Sequence, residues 1–415
     1  MAESVSAGRS AREDLVVTLE PGGHGLKVEL ESSVSRLYGQ RIMEVVRDTL
    51  GRLGIRDCTA SVKDQGALDW VIQARVEAAA RRLDPKLTAE ALPEPYRPLP
   101  GPVPRDRTRR SRLYLPGNQP DLMHGAALFQ PDGLILDLED AVAPAEKDAA
   151  RILVRNALRA VDFGDCERMV RINQGQRGLD DLPFVLPHAV HTVLAPKAEK
   201  GADVAAVAAR IRELGCGGRV WIMPIVESAL GVLHAYEIAS AAPEVCALAF
   251  GAEDFTRDIG AARSREGRES FVARCSIVLA ARAAGVQPID TVYGDVEDEA
   301  GLRAATEEAI ALGFDGKGCI HPRQVAVVHA AYRPSDAEVV YALKVKAAIR
   351  EAEAKGQGVI AIGAKMIDPP VVARALRVIK QAATYGIDAE GLEAAARTSA
   401  AAAAADQGAG GGEEG

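Results

Sequence analysis

Between Ser111 and Pro322 the sequence repeats one theme eight times: a short apolar run closing on polar residues, in most cases followed by an Ala-rich helical stretch. The runs are SRLYLPG, DGLILDLED, ERMVRIN, HTVLAPKAE, VWIMPIVE, VCALAFGAED, VQPIDTVY and GFDGKGCIHP. The clearest intervening helices span Ala202 to Leu214, Phe271 to Ala284 and Ala300 to Leu312. Strands this short and this apolar are buried on both faces, which requires helices to cover them. Eight β/α units over about 210 residues predict an α/β fold, the (β/α)₈ TIM barrel, for which roughly 200 to 250 residues are usual. A doubly wound sheet would want a GxGxxG turn after its first strand, and LYLPGNQPDLM has none.

The barrel pattern, taken as residues 108–335, accounts for only part of the 415 residues. Before it, residues 1–84 read as a small α+β domain, ordered strand, strand, helix, strand, helix: LVVTLE, GLKVELES, Tyr38 to Leu53, TASVKD and Ala67 to Leu83. Residues 85–107 carry seven prolines, which deny the segment helix and sheet and predict a semi-extended linker. After the barrel, 336–392 read as a helical segment. Residues 393–415 form a low-complexity tail with too few large apolar side chains to build a core.

Composition excludes several classes. Fifty Lys and Arg against 58 Asp and Glu give a net charge of −8, and aromatics are only 4%, so neither a basic patch nor a stacking platform for nucleic acid is expected. No stretch approaches the roughly 20 apolar residues of a membrane helix. The N-terminus has no apolar signal segment, which predicts a cytoplasmic protein. The six cysteines are widely spaced and read as buried thiols; His188 and His191 read as a surface pair rather than a metal site.

In a TIM barrel the chemistry gathers where the strands end. Here the ends carry Asp137, Glu139, Asp140, Arg171, Asn173, Lys197, Glu199, Glu227, Glu253, Asp254, Asp290 and His321. Glu227 and Asp254 close adjacent runs, and two hard carboxylates without a soft ligand favour Mg²⁺ or Mn²⁺. Within LDLED, one acid could hold metal-bound water or orient Arg171, while another caps the helix beginning near Ala145. Arg171 ends an apolar strand, where it pairs with Asp137 or Glu139, grips a substrate carboxylate or developing oxyanion, or does both. Lys197 reads equally as a salt-bridge partner. Asp368, just before Pro369 and Pro370, is by position a helix N-cap.

The segments RRSRLYLPG, LDLEDAV, VRIN, PIVESALG, FGAEDFTRDIG, ARCSIVLAARAAGVQPIDTVY, GFDGKGCIHPRQV and KMIDPPVV, in this order over residues 108–385, resemble the citrate lyase beta subunit and its HpcH/HpaI aldolase relatives, the malyl-CoA and citramalyl-CoA lyases. The resemblance implies a Mg²⁺-dependent TIM-barrel lyase that cleaves a 3-hydroxyacyl thioester. It assigns the metal to Glu227 and Asp254, the substrate to Arg171 with Arg110 and Lys197 as further contacts, and acid/base work to Asp368. Asp137, Glu139 and Asp140 fall behind these as supporting acids. In relatives the last carboxylate sits on a C-terminal lid that reaches a neighbouring subunit, which implies a homotrimer or a multiple of one.

Residues 1–83, with ELESSVSRLYGQRIMEVVRDTLGRLGIRDCTASVKDQGALDWVIQARVEAAARRL, resemble the citrate lyase gamma subunit, an acyl carrier. Carriers of that kind hold a CoA-derived arm, phosphoribosyl-dephospho-CoA, on a serine. Here AGRSARED places Arg12 at that position, and Ser10 is the nearby hydroxyl. The reading is therefore a citryl thioester, on CoA or a carrier, cleaved to oxaloacetate and an acetyl thioester, with a CoA-transferase alpha subunit as a possible partner. The alternatives are a malyl-CoA or citramalyl-CoA lyase and a non-catalytic carrier or scaffold module.

Overall fold

The computed structural model describes residues 4–22, 25–354, 360–362, 365–388 and 391–392; the tail beyond residue 392 lies outside the described residues. The chain forms two compact units that divide after Val328.

The first unit opens with a four-stranded sheet of β1 (Val5–Gly8), β2 (Leu15–Pro21), β3 (Leu26–Ser32) and β4 (Cys58–Asp64), in the order β1-β2-β4-β3. Only β3 and β4 run parallel. The sequence pattern missed β1, because VSAG has one β-branched residue and pairs only through the turn to β2. That turn requires Gly8: its φ is +103°, and a Cβ there would lie 1.9 Å from the Leu15 carbonyl oxygen. Two helices, Ser35–Arg52 and Asp69–Leu83, complete the domain. The second is buried at ten of its positions, from Trp70 to Ala80, which a surface helix cannot be. It packs on β1 and β2 on one side and on the barrel helix Lys147–Ala160 on the other.

Residues 85–107 form no helix or strand, as the prolines require. The segment is nonetheless pinned. Tyr96 N donates to Arg159 O (2.9 Å), Arg159 Nε to Pro93 O (2.8 Å), and Trp221 Nε1 to Val103 O (2.8 Å).

Eight parallel strands then close into a barrel: β5 (Ser111–Pro116), β6 (Gly133–Asp137), β7 (Glu167–Arg171), β8 (Thr192–Ala195), β9 (Trp221–Val226), β10 (Ala247–Phe250), β11 (Gln287–Asp290) and β12 (Gly316–Cys319), with β12 pairing back onto β5. Each lies inside one of the eight runs. Ile135, Met169, Leu194, Met223, Ile225, Ala247, Ala249 and Ile289, with Tyr114 and Trp221, form one packed cluster, so the barrel has a filled core rather than a pore. Helices Gly201–Glu213, Phe271–Ala283 and Glu299–Leu312 fall within one residue of their sequence positions.

The second unit contains helices Asp336–Ala354 and Pro369–Thr384 and the antiparallel pair β13 (Ile360–Ile362) and β14 (Lys365–Ile367). Ala342, Val345, Ile367 and Ala375 are its core. Among the described residues, no helix is long and apolar enough to cross a membrane.

Candidate active site

The C-terminal ends of the strands converge on a cavity of about 360 Å³ lined by Tyr114, Asp137, Asp140, Arg171, Glu227 and Asp254, among others. Glu227 follows β9 directly, and Asp254 sits in the short helix Ala252–Asp258 that follows β10. They approach because β9 and β10 are neighbours in the barrel and because residue 251 is glycine. A Cβ on Gly251 would stand 2.5 Å from Glu227 Oε2. Glu227 is only 7% exposed, and its Oε1 accepts a 2.7 Å hydrogen bond from Lys197 N. Burial pushes its carboxyl up to about 7; the Lys197 amide opposes the rise, and the negative charges of Asp254 and Glu139 add to it.

Lys197 stands at the centre of the acids. Its Nζ contacts Glu139, lies 3.1 Å from Asp140 Oδ1 and 3.5 Å from Asp254 Oδ2. Asp254 Oδ2 is otherwise buried without a hydrogen-bond partner. Lys197 has φ +51°, a left-handed conformation that costs a non-glycine residue about 1 kcal/mol or more and that collects at functional sites. Burial works against its charge, but hydrogen bonds and attraction from Glu139 and Asp140 raise its pKa above the ordinary lysine value.

Arg171 pairs with Asp137 because the two strand-end residues are opposite one another in the β6–β7 register. Nε and Nη2 each lie 2.6 Å from an Asp137 oxygen, and Nη1 lies 3.0 Å from Glu139 Oε2. The guanidinium rests over the Tyr114 ring at 5.3 Å. Burial opposes its charge, yet these bonds hold its pKa above the usual arginine value. Arg171 is paired with Asp137 and Glu139, and this pairing is compatible with the substrate reading.

Other sequence expectations are corrected. Arg110 lies at the opposite, N-terminal end of β5, where its backbone N and side chain bind Asp132 at 2.6 to 2.8 Å, so the strand's whole length separates it from the cavity end. Asp290 is buried, its carboxylate taken by Arg274 and Lys317. No acid of LDLED caps the helix Lys147–Ala160; instead Asp137 accepts from Glu139 N and Ala141 N within its own loop. His188 and His191 are buried, and desolvation lowers both to about 4. Asp368 does occupy the N-cap position of its helix, but its side chain makes no cap hydrogen bond and is exposed. Four cysteines are buried, while Cys216 and Cys275 are half-buried; all six are free thiols.

Sequence reasoning overlooked Arg112, Tyr114 and Thr291, which also line the cavity. The period-2 alternation of SRLYLP was the available signal, since it places Arg112, Tyr114 and Pro116 on one face. A larger cavity of about 820 Å³ lies beside helices Phe271–Ala283 and Glu299–Leu312. Among its charges, Arg265 pairs with Asp298, and Arg274 with Asp290 and Glu308.

The carrier-like domain meets the barrel close to this mouth. Arg75 Nη2 and Arg9 Nη1 donate to Asn118 O, in the loop after β5, at 3.0 and 3.2 Å. Arg9, Ser10 and Arg12 lie on the β1–β2 loop, and the Ser10 and Arg12 side chains are exposed.

Residues 110–322 match the family described as HpcH/HpaI aldolase/citrate lyase, and residues 2–83 match an acyl-carrier family described as malonate decarboxylase delta subunit (MdcD). The citrate lyase subunit beta of Leuconostoc mesenteroides is 42% identical over 298 residues, covering 69% of this chain and 97% of that one. A (3S)-malyl-CoA thioesterase of Cereibacter sphaeroides is 39% identical over 262 residues, covering 62% and 89%. The crystal structure of the protein CitE from Mycobacterium tuberculosis, in complex with magnesium, acetoacetate and coenzyme A, has 34% identity and a TM-score of 0.57, covering 68% of this chain and all of that one. The fold and its strand-end acids thus define a carbon–carbon lyase built on a TIM barrel. The chain belongs to the HpcH/HpaI aldolase/citrate lyase family and carries an N-terminal acyl-carrier-like domain.

Proposed function

We propose that this protein cleaves a 3-hydroxyacyl thioester, a citryl thioester first, to oxaloacetate and an acetyl thioester, with Mg²⁺ held by Glu227 and Asp254. The observation that carries the reading is the pair of inward carboxylates in one cavity, one with its pKa raised and the other with a buried oxygen lacking a hydrogen bond. Among the described residues no group of three or more His, Cys, Asp and Glu gathers to hold a metal. Two carboxylates suffice for Mg²⁺, which usually keeps waters and takes its remaining ligands from substrate. Bound there, Mg²⁺ supplies Lewis-acid polarisation of the substrate hydroxyl and carboxylate.

The protein's own groups do the rest. Asp137 fixes Arg171, whose Nη1 edge faces Glu139, the contact that an oxo-acid carboxylate exchanges. Lys197 balances the acids and positions Glu227 through its amide. Asp368, reaching in from a neighbouring subunit, takes the carbinol proton as the C–C bond breaks; the bond's electron pair becomes the thioester enolate, and the same carboxyl returns the proton to the enolate carbon. Asp368 suits this role because its carboxylate is not consumed as a helix cap. A homotrimer, a CoA-transferase partner subunit and a cytoplasmic setting accompany this reading.

The second reading is a malyl-type CoA ester, favoured by the malyl-CoA thioesterase relative and by Arg12 at the carrier serine's place. One assay tests both: citryl-CoA and malyl-CoA are each offered with Mg²⁺ or with EDTA, and oxaloacetate, glyoxylate and free thiol are measured. Metal-dependent oxaloacetate supports the first reading and glyoxylate the second. Thiol release without either keto acid would sink both.

A further inference from the structure

Four of the largest side chains buried completely in this protein are arginines: Arg75, Arg109, Arg112 and Arg155. Three hold a carboxylate through two nitrogens. Arg75 binds Asp14 at 2.9 and 2.7 Å, Arg109 binds Glu167 at 2.8 and 2.9 Å, and Arg155 binds Glu77 at 2.9 and 2.7 Å. Arg112 has no acid. Its Nη1 lies 3.1 Å from Met223 Sδ, its Nη2 lies 3.4 Å from the Asp290 main-chain oxygen, and its Nε is buried with no partner.

The acids around it are engaged elsewhere. Glu167 serves Arg109 and Thr192, the Asp290 carboxylate serves Arg274 and Lys317, and Asp137 serves Arg171. A guanidinium cannot escape by losing its proton at ordinary pH, so an unpaired one in a barrel core carries a standing desolvation cost. Burial accordingly drives the Arg112 pKa down. Arg112 lines the same cavity as Glu227 and Asp254, within β5 rather than at its end. An anion with two oxygens in fork geometry is the occupant that offsets the cost.

We propose that Arg112 recognises a second free carboxylate of the substrate, so that the site selects a thioester retaining two free carboxylates over one retaining a single carboxylate. The inference rests on the thioester-lyase reading above and deepens it. A citryl thioester has two free carboxylates, whereas malyl and citramalyl thioesters have one. The α-hydroxy acid end would lie at the cation held by Glu227 and Asp254, and Arg112 takes the other carboxylate. A cavity of about 360 Å³ is of a size for such a small polyacid, at the lower end of the range for ligand sites.

The test compares wild type, Arg112→Met and Arg112→Lys on citryl-CoA and malyl-CoA. Arg112→Met should lose about 100-fold in kcat/KM on citryl-CoA while malyl-CoA changes by less than about threefold, because unmet recognition of a buried polar group is what discriminates substrates. Arg112→Lys keeps a buried cation but not the fork, and the citryl-to-malyl ratio should fall in it as well. Equal loss on both substrates, or no loss on either, overturns the proposal. A melting temperature for Arg112→Met at or above wild type accompanies the expected result, since an unpaired charge has been removed. If wild type cleaves neither thioester, the lyase reading itself fails. Calorimetry with Mg²⁺ then decides Arg112 separately: oxaloacetate should bind wild type more tightly than pyruvate, with the preference lost in both variants, and equal binding to wild type overturns it.

Discussion

The seam between the carrier-like domain and the barrel and the barrel's mouth are both built from charged groups taken out of water, yet they are finished differently. At the seam each buried charge has a partner of opposite sign, although Arg75 Nη1 and Glu146 Oε2 make no hydrogen bond of their own. Glu77 receives Arg155 and Arg81 and the Ala91 amide, Asp14 receives Arg75, and Asn156 Nδ2 donates to Trp70 O at 3.1 Å. At the mouth, Glu227 has a raised pKa, Asp254 keeps a buried oxygen without a hydrogen bond, and Arg112 has no carboxylate. A satisfied buried pair fixes one geometry and has nothing left to bind with, whereas unsatisfied groups hold a cost that a ligand can remove. The difference teaches that the carrier-like domain is anchored as part of the scaffold, while the mouth is kept reactive.

The contrast can be broken experimentally. The largest effect is expected at the mouth: Glu227→Gln or Asp254→Asn should lower metal-dependent keto-acid release by on the order of 10⁴-fold with the fold intact. Retained turnover in either variant would remove these residues from the metal site. At the seam, Glu77→Ala should cost roughly 3 kcal/mol in denaturant unfolding, because it removes the buried carboxylate that Arg155 holds through two nitrogens and leaves it only the part-exposed Glu90 as a counter-charge. Turnover per folded molecule should stay near wild type. A shift below about 1 kcal/mol would mean that the pair does not hold the domain.

The pH response should then separate groups of opposite sign. His188 and His191 fall to about 4 from 6.5, so the native state binds fewer protons than the unfolded one between these values. The stability they supply is present above pH 6.5 and lost as pH falls toward 4, by up to about 3 kcal/mol each. Thermal melts from pH 7 to 4 should show this, and His191→Gln should flatten the acid limb. Glu227 runs the other way, rising from 4.5 to about 7. Its contribution is present below pH 4.5 and lost as pH climbs through 7, so Glu227→Gln should stabilise the metal-free protein at pH 8 and leave pH 4 unchanged. The smallest effect is expected at the carrier loop. Ser10→Ala should change cleavage of CoA thioesters by less than about twofold, since only an arm on that hydroxyl would connect it to turnover. A large loss, together with added mass on the purified wild-type protein, would show that the serine is loaded.

Much of the architecture was legible in the chain. The eight barrel strands fall inside eight apolar runs because a parallel strand covered on both faces must be apolar almost throughout, and that signal needs no tertiary knowledge. Glu227, Asp254, Arg171 and Lys197 were legible for a related reason: a polar residue ending such a run has only the mouth to occupy. The extra strand β1 was not legible, because pairing with β2 rather than local pattern makes VSAG extended. Arg110 was misplaced because a motif's residues were read together although β5 separates its two ends. Arg112 escaped notice because a charge inside a strand looks like an outward-facing residue until closure of the barrel turns that face inward.

By itself, then, the sequence determined the strand and helix periods, the proline-rich segment that admits neither, and the order in which acids and cations arrive at strand ends. Those properties are local and survive in any compact arrangement. Tertiary structure alone decided which charges meet: Asp137 takes Arg171 through the β6–β7 register, Glu77 takes Arg155 across 78 positions of chain, and Arg112 is left without a carboxylate. Pairing depends on distances of a few ångströms between residues far apart in the chain, and only closure of the barrel and docking of the domain set those distances.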